Sequence, residues 1–177
     1  MARSDSSQRT KDLQRAQKQA HRQRKALPPD SGPMTEINCA CVIYGSAYDW
    51  QYVTRLYNML ERNISLPMRF HVYTEAERPV PGHMVKHVLE DWGVGTPRRA
   101  WWYKMQMFNP EHHAGHLLYF DLDTVITSNI DWLWQSDARF FWTIKDFKRL
   151  WQPDYVGINS SIMWWDTRYW NWIWDQF

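Results

Sequence analysis

The fold is decided by one stretch near the middle of the chain, which reads Leu117-Leu-Tyr-Phe-Asp121-Leu-Asp123-Thr-Val125. Its apolar first part predicts a buried strand that ends at two carboxylates. Residues two apart on an extended backbone face the same side, so Asp121 and Asp123 can address one point. Two like charges held that close repel each other. A hard divalent cation such as Mg²⁺ or Mn²⁺ would offset the repulsion, with substrate phosphates and water as its other ligands. The alternative is a pair of solvated aspartates that cap a turn.

Outward from this stretch, short apolar runs alternate with amphipathic segments. The pattern predicts strands over 37–44, 69–74, 84–89, 116–120, 140–144 and 156–164, and helices over 49–63, 99–108 and 168–177, the last of which could also be a strand. Asp49 is the predicted N-cap of the first helix. The alternation indicates an α/β fold, with a mainly parallel sheet and flanking helices. Ligands of such sheets bind beyond the carboxyl ends of the strands, which places Gly45-Ser46 and Asp121–Asp123 on the expected ligand edge.

The first 33 residues differ in composition from the rest of the 177-residue chain. They hold 8 of its 21 Lys and Arg residues, 3 of its 19 Asp and Glu residues and none of its 13 Trp residues. The whole chain has a formal net charge of +2, so the remainder has −3. We expect 1–33 to be a disordered basic tail and linker, and 34–177 to be one domain. A basic tail can touch nucleic acid or anionic lipid, but solvated disorder is the simpler interpretation, and no nucleic-acid partner is expected.

Membrane insertion and secretion are not predicted. The sequence has no apolar run of about 18 residues, and the basic N-terminus has no apolar segment behind it. Cys39 and Cys41 would point the same way from one strand, which is a poor geometry for a disulfide. We therefore expect two buried free thiols, no transmembrane segment and a cytoplasmic protein.

Three histidines cluster before the central strand, namely His112, His113 and His116. His112 and His116 have the spacing of helix neighbours, which would suit zinc. Pro110 and Gly115 favour a loop, and no third ligand is evident, so zinc binding there is not the favoured interpretation.

A longer string around the two carboxylates is more specific. Lys104 lies on the preceding predicted helix, and the chain then reads His116-Leu-Leu-Tyr-Phe-Asp-Leu-Asp-Thr-Val-Ile-Thr-Ser-Asn-Ile-Asp-Trp-Leu133. A second block reads Ile158-Asn-Ser-Ser-Ile-Met163. Both blocks resemble the family-eight glycosyltransferases, which include the glycogenins and lipopolysaccharide galactosyltransferases. The family usually has Gly where Ser161 stands. The resemblance implies a GT-A-like (Rossmann-like) fold and a metal-dependent glycosyltransferase.

The resemblance also implies a role for each candidate residue. Asp121 and Asp123 would hold Mn²⁺, or Mg²⁺, together with the diphosphate of the donor. Lys104 would neutralise the charge that develops on the leaving diphosphate; a solvated helix lysine is the alternative. Asn159 would hydrogen-bond the donor sugar or the acceptor, unless it only caps its strand.

The nucleotide is expected at the exit of the first strand. Tyr44 or Tyr48 would face its base, and core packing is the alternative for Tyr44. By resemblance the donor is a UDP-sugar, and the transfer retains the configuration at the anomeric carbon. The sugar stays open, and the acceptor could be a sugar or a protein.

Two other functions remain open. A haloacid-dehalogenase-type phosphatase also ends an apolar strand with Asp-x-Asp and binds Mg²⁺, but that motif normally opens its domain, whereas patterned α/β sequence precedes it here. A non-catalytic nucleotide-sugar-binding fragment is the third hypothesis, because the family's later His metal ligand and Asp-Gln motif have no counterpart after Asn159. We therefore expect a C-terminally incomplete domain that transfers slowly, with exposed C-terminal aromatics that favour self-association.

Overall fold

The computed structural model describes residues 33–93 and 100–176, together with Arg15 and Lys18. Its centre is a six-stranded sheet in the order β3-β2-β1-β4-β6-β5. The strands are β1 (Ile37–Val42), β2 (Met68–Thr74), β3 (Val85–Val88), β4 (His116–Phe120), β5 (Trp142–Lys145) and β6 (Ile158–Asp166). Every bound lies within two residues of the strand predicted there, so the α/β fold is confirmed. The predicted tail over 1–33 lies outside the described residues apart from Arg15, Lys18 and Pro33, and it stays a prediction.

The sheet is parallel on one side and antiparallel on the other. β1 pairs in parallel with β2 and β4, and β2 pairs in parallel with β3, whereas β6 runs antiparallel to β4 and β5. The sheet is therefore mixed, with more parallel than antiparallel pairings. Because β6 runs backwards, its first residues lie beside the carboxyl end of β4, where the Asp121 N–H donates to the Ser161 carbonyl at 2.8 Å. The exits of β1 and β4 and the start of β6 thus meet at one edge.

Helix α1 (Trp50–Asn63) covers one face of the sheet. Asp49 caps it as predicted, because the carboxylate accepts a hydrogen bond from the Gln51 N–H at 2.8 Å. Its fully buried side chains recur at helical spacing and join one core cluster with β1, β2 and β4: Val53, Leu56 and Leu60. Truncation of one such leucine to alanine would cost about 2–5 kcal/mol of stability.

Cys39 and Cys41 are free and fully buried in the same cluster, as expected. Burial raises the pKa of both thiols, so they stay protonated at neutral pH. No helix in the described part of the chain is long and apolar enough to cross a membrane.

The segment predicted as an α-helix over 99–108 is a 3₁₀ helix (Ala100–Phe108), which we call the Lys104 helix. A 3₁₀ helix places side chains three apart on one side. Buried residues with this spacing are Tyr103, Gln106 and Asn109. Gln106 also brackets the backbone of Glu90, because it accepts from the Glu90 N–H at 2.8 Å and donates to the Glu90 carbonyl at 2.7 Å. The buried residues also include Met107 and Phe108, and the segment is wound more tightly than the predicted α-helix.

The C-terminal segment is helical as predicted, but in two short pieces, α2 (Thr167–Trp170) and α3 (Trp172–Gln176), because β6 continues to Asp166. The expectation that its aromatics are exposed is wrong. The tryptophans of this segment, Trp170, Trp172 and Trp174, are half-buried, and Trp170 and Trp174 pack with Ile173 against the core cluster that contains Tyr103 and Met107. Large exposed aromatics lie instead between β4 and β6: Trp132, Phe140, Trp142, Phe147 and Trp151.

Candidate active site

The carboxylate of Asp121 lies at the exit of β4, and one of its oxygens has two partners. Lys104 Nζ lies 2.6 Å from Asp121 Oδ1, and the Tyr119 hydroxyl donates to the same oxygen at 2.5 Å. Lys104 Nζ also lies 5.2 Å from the centre of the Tyr119 ring and donates to Ser160 Oγ at 3.4 Å. The side chains of Lys104 and Asp121 are only 13% and 24% exposed, so water screens this ion pair weakly. These contacts fix the orientation of the Asp121 carboxylate.

Tyr119 can act only as a donor in this arrangement. Its side chain is buried in the core, and burial raises the pKa of its hydroxyl well above the ordinary value. The neighbouring Asp121 carboxylate adds to the effect, because a phenolate beside a carboxylate would be repelled. The hydroxyl therefore stays protonated and donates to Asp121 at the wall of the cavity.

Asp123 lies in the turn that follows β4. The Thr124 N–H closes this turn on the Asp121 carbonyl at 3.0 Å. Asp123 is exposed and accepts a hydrogen bond from the Tyr48 hydroxyl at 3.1 Å. Burial, and after it the Asp123 carboxylate, raises the pKa of Tyr48. Leu122 is buried between the two aspartates, and both aspartates line one cavity of about 420 Å³, which we call the carboxylate cavity.

Aromatic rings form much of the wall of the carboxylate cavity. Tyr44 and Tyr48 come from the exit of β1, and Trp101 comes from the Lys104 helix. Tyr44 also stacks on Tyr103 with ring centroids 3.8 Å apart, so it packs against the core and lines the cavity at once. The two roles weighed for Tyr44 are therefore compatible. Trp101, which is 57% exposed, adds a further aromatic face to the cavity wall.

Asn159 lies at the start of β6 and is not part of the cavity wall. Its Oδ1 accepts from the Ser161 N–H at 2.8 Å, and its carbonyl accepts from Thr143 Oγ1 at 2.5 Å. The neighbouring Ser160 accepts a hydrogen bond from Lys104, which does line the cavity. The structure thus brings together five of the six predicted site residues, and it holds the carbonyl end of the Asn159 side chain in a local turn.

The turn after β1 is clamped by two residues that sequence reasoning missed. The Gly45 N–H donates to Glu75 Oε1 at 2.5 Å, and Arg78 donates to the Gly45 carbonyl at 2.6 Å. Gly45 has a φ of +69°, a conformation that favours glycine. Burial alone would raise the pKa of Glu75, but hydrogen bonds from Arg78 and Thr74 outweigh it and lower the pKa to about 2. Glu75 follows β2, the parallel neighbour of β1, so its place at the ligand edge was the available signal.

The two aspartates have the donor chemistry for a hard divalent cation. Each has one oxygen that accepts from the protein and a second oxygen that accepts no hydrogen bond from a described residue. Mg²⁺ and Mn²⁺ take carboxylate oxygens readily and keep other positions for water and phosphate. Among residues 33–93 and 100–176, no group of three His, Cys, Asp or Glu side chains is arranged to hold a metal ion. Two aspartates alone would leave most positions around such a cation to other ligands.

A second polar cluster lies on β2, on β3 and in the loop before β4. We call it the histidine cluster, and its members are His71, His87, His112 and His113. Two ring nitrogens, His71 Nδ1 and His87 Nε2, are 2.8 Å apart, and His71 Nε2 lies 2.9 Å from Asn38 Oδ1. The ring of His113 meets that of His71 at 4.8 Å, and the ring of His112 meets that of His87 at 5.8 Å. Burial, with repulsion between neighbouring imidazoles, lowers the pKa of His71 to about 3 and that of His87 to about 4.

The pair His112 and His116, considered as zinc ligands, has separate environments. His112 contacts the rings of Tyr73 and His87, whereas His116 Nε2 lies 3.4 Å from the buried carboxylate of Asp166.

Comparisons with solved structures find glycosyltransferases. The chain matches an active-site mutant of LgtC with a TM-score of 0.60 at 13% identity, over 76% of this chain and 59% of that one. It matches the galactosyltransferase LgtC in complex with donor and acceptor sugar analogs with a TM-score of 0.58 at 13% identity, over 78% and 62%. It matches the apo form of the glycosyltransferase GlyE of Streptococcus pneumoniae TIGR4 with a TM-score of 0.51 at 13% identity, over 77% and 35%.

Comparisons with protein-family models and with curated proteins find no match. The structural matches show the fold. The chain has the GT-A-like α/β fold of these glycosyltransferases, and it spans 59–62% of the LgtC chains that it matches.

Proposed function

We propose that this chain binds a nucleotide-diphosphate sugar, with a UDP-sugar as the donor, and transfers the sugar to an acceptor hydroxyl. One observation carries the proposal: the carboxylate cavity, at the ligand edge of a GT-A-like sheet, is lined by Asp121, Asp123 and the largely buried Lys104. A diphosphate needs positive charge around it. A divalent cation on the two carboxylates, Mn²⁺ or Mg²⁺, together with Lys104, would provide that charge.

In the proposed reaction, a bond forms between the acceptor oxygen and the anomeric carbon, and the bond between that carbon and the diphosphate oxygen breaks. The electron pair leaves with the diphosphate, and the acceptor hydroxyl loses its proton to water. A bound divalent cation would act as a Lewis acid on the diphosphate. Lys104 can donate to a diphosphate oxygen and offset the charge that develops there. Retention at the anomeric carbon remains a proposal drawn from the sequence resemblance.

The cavity walls support a place for the nucleotide and the sugar. Tyr44, Tyr48 and Trp101 present aromatic surface on which a uracil ring can stack. Asn159 has its Oδ1 committed to Ser161, which leaves its Nδ2 to donate to a sugar hydroxyl at the β6 side of the site. The buried free thiols of Cys39 and Cys41 support a cytoplasmic, reducing compartment.

A non-catalytic binding module is the second candidate. The described residues offer no third protein ligand for the cation, and a cation held by Asp121, Asp123, diphosphate and water is held loosely. We therefore expect weak donor binding and slow turnover. A phosphatase is less well supported, because its Asp-x-Asp motif normally opens the domain, whereas β1, α1, β2 and β3 all precede Asp121 here.

The experiment is calorimetry of UDP binding with Mn²⁺ and with an excess of chelator. We expect measurable binding with Mn²⁺ and at least about 10-fold weaker binding with chelator, because diphosphate and carboxylates repel each other without a cation. Asp123→Asn should lose most of the Mn²⁺-dependent affinity. Asp154→Asn removes the same charge from an exposed residue outside the cavity and should bind like the original chain.

Equal UDP affinity with and without chelator would contradict the proposed role of a divalent cation in UDP binding. A UDP-release assay with UDP-sugar and Mn²⁺ then separates the two candidates, since a binding module releases no UDP. Phosphate release from an aryl phosphate would favour the phosphatase instead.

A further inference from the structure

A second cavity, of about 460 Å³, lies beside the carboxylate cavity, between α1 and the segment that follows β4. We call it the α1 groove. The two cavities share Leu122 and Asp123 as a common wall. On the helix side, Arg55, Met59 and Arg62 line the groove at helical spacing. A molecule in the α1 groove would therefore lie next to whatever occupies the carboxylate cavity.

The α1 groove has apolar side chains in its lining, and a hydrogen bond joins its two sides. Met59, Leu122 and Val125 line it, and Val125 is 74% exposed. The Ile126 N–H donates to Met59 Sδ at 3.5 Å, which ties the segment after β4 to the helix. An apolar ligand would gain by removing this surface from water.

Two cations flank these apolar side chains. Arg55 donates to the neutral Gln51 Oε1 at 3.1 Å and lies 5.8 Å from the Tyr52 ring. In the described part of the chain, neither Arg55 nor Arg62 has a carboxylate partner. With Asp123 as the one acid of the wall, the groove lining has a net positive charge. Guanidinium groups without acidic partners, beside an apolar surface, match a ligand that joins an apolar body to an anion.

We propose that the α1 groove binds the acceptor, and that the acceptor is an anionic amphiphile: a hydroxyl-bearing molecule with an aromatic or aliphatic body and a phosphate or carboxylate group. The apolar body covers Met59 and Val125, and the acidic group pairs with Arg55 or Arg62. The word acceptor rests on the proposed function, because only a transferase places an acceptor beside its donor. Binding of the anionic amphiphile itself does not depend on that function.

The test is calorimetry with three probes that share one ring system: 2-naphthyl phosphate, 2-naphthoate and neutral 2-naphthol. We expect the original chain to bind at least one of the two anions and to bind the naphthol at least about 10-fold more weakly. The double variant Arg55→Gln/Arg62→Gln should bind the anions at least about 10-fold more weakly, while glutamine keeps the helix propensity of the site. The anion that binds more tightly tells whether phosphate or carboxylate is preferred.

The matched control is Arg69→Gln/Arg149→Gln, which removes the same charge from exposed residues outside the groove. It should bind the anions within about twofold of the original chain. Absence of anion binding by the original chain, equal binding by the groove variant, or equal loss in the control would each overturn the proposal. UDP titrations of the same samples distinguish the proposed function from the proposed groove ligand. Loss of UDP binding with intact naphthyl phosphate binding would overturn the proposed function and leave the groove proposal intact. Intact UDP binding with loss of naphthyl phosphate binding would overturn the groove proposal alone.

Discussion

The carboxylate cavity and the histidine cluster both contain ionisable and aromatic side chains. The cavity is open to a ligand, whereas the cluster is closed by contacts among its own members. Both gather polar side chains from separate elements beside the same sheet. In the cavity, Lys104 and Tyr119 hold one oxygen of Asp121, while the carboxylate stays open to a space of about 420 Å³. In the cluster, His71 and His87 hold each other, and burial keeps both rings neutral.

The difference shows that residue type alone does not make a site. Imidazoles are good metal ligands, but His71 and His87 share a hydrogen bond with each other, and no group of three metal-ligating side chains is found among the described residues. Aspartates held by donors on one oxygen each can still offer the other oxygen to a ligand. A cluster can bind a ligand when the contacts among its own side chains leave some polar atoms accessible to that ligand.

The largest expected effect is a loss of folding stability at acidic pH, because protonation disrupts the histidine cluster. The folded pKa values of about 3 for His71 and about 4 for His87 lie below the ordinary value of 6.5. The unfolded chain therefore binds more protons below pH 6.5, and stability falls as the pH drops from about 6.5 towards 4. At pH 5 the loss is about 2 kcal/mol for His71 and less for the more exposed His87, roughly 3 kcal/mol together.

Urea unfolding at pH 7 and pH 5 measures this loss. In His71→Gln, the difference in unfolding free energy between the two pH values should shrink by about 2 kcal/mol. His83→Gln alters an exposed histidine outside the cluster and should keep the original difference. Stability that is flat between pH 7 and 5, or an equal change in both variants, would contradict the closed, neutral cluster.

Removal of the Lys104 ammonium group from the carboxylate cavity should have the second largest effect. In Lys104→Gln, the rate of UDP release from UDP-sugar with Mn²⁺ should fall about 100-fold, because a positioned charge on the leaving diphosphate is lost. Lys145→Gln removes an exposed lysine of β5 that does not line the cavity and should keep the original rate. A rate within threefold of the original in Lys104→Gln would show that Lys104 only packs against Tyr119 and Asp121.

The smallest expected effect comes from a pair of tyrosine variants, one in the carboxylate cavity and one beside the histidine cluster. Tyr119→Phe removes the hydroxyl that holds Asp121, and UDP affinity with Mn²⁺ should fall about 5-fold, near 1 kcal/mol. Tyr73→Phe removes an equally buried hydroxyl from a ring that stacks on His87, and this hydroxyl has no hydrogen-bond partner among the described residues, so UDP affinity should not change. Calorimetry measures both, and thermal melting checks that each variant is folded. Equal affinity in the two variants would remove the positioning role of Tyr119.

Much of the fold was predictable because it depends on local patterns. The apolar run of β4, the helical spacing of α1 and the Asp49 cap each involve residues within a turn or strand of one another, and all three were confirmed. The Lys104 helix was predicted with the wrong winding, since its buried side chains pack against distant parts of the chain, such as Tyr73, Leu117 and Trp165. The exposure of the C-terminal aromatics was wrong for the same reason, because Trp174 finds a partner in Trp92.

The candidate site shows the same division. Asp121 and Asp123 were singled out by their place after an apolar strand, and Lys104 by the family resemblance. The contacts of Tyr119, Glu75 and Arg78 were not predicted. A hydrogen bond from a side chain to a distant carboxylate or turn leaves no periodic trace in sequence, even where the residue sits at an expected strand end.

By itself, the sequence determined the α/β class, the strand that carries two aspartates to the ligand edge and the helix that covers the first strands. These follow from hydrophobic periodicity, which neighbouring residues set together. Only the tertiary structure decided which groups meet: Tyr48 and Asp123 are 75 residues apart, and Lys104 and Ser160 are 56 apart. Their contacts depend on the reversed direction of β6 and on the order of strands in the sheet, which no local pattern contains. The same packing joined His71 to His87 and closed the histidine cluster, whereas it left the carboxylates at the open edge of the sheet.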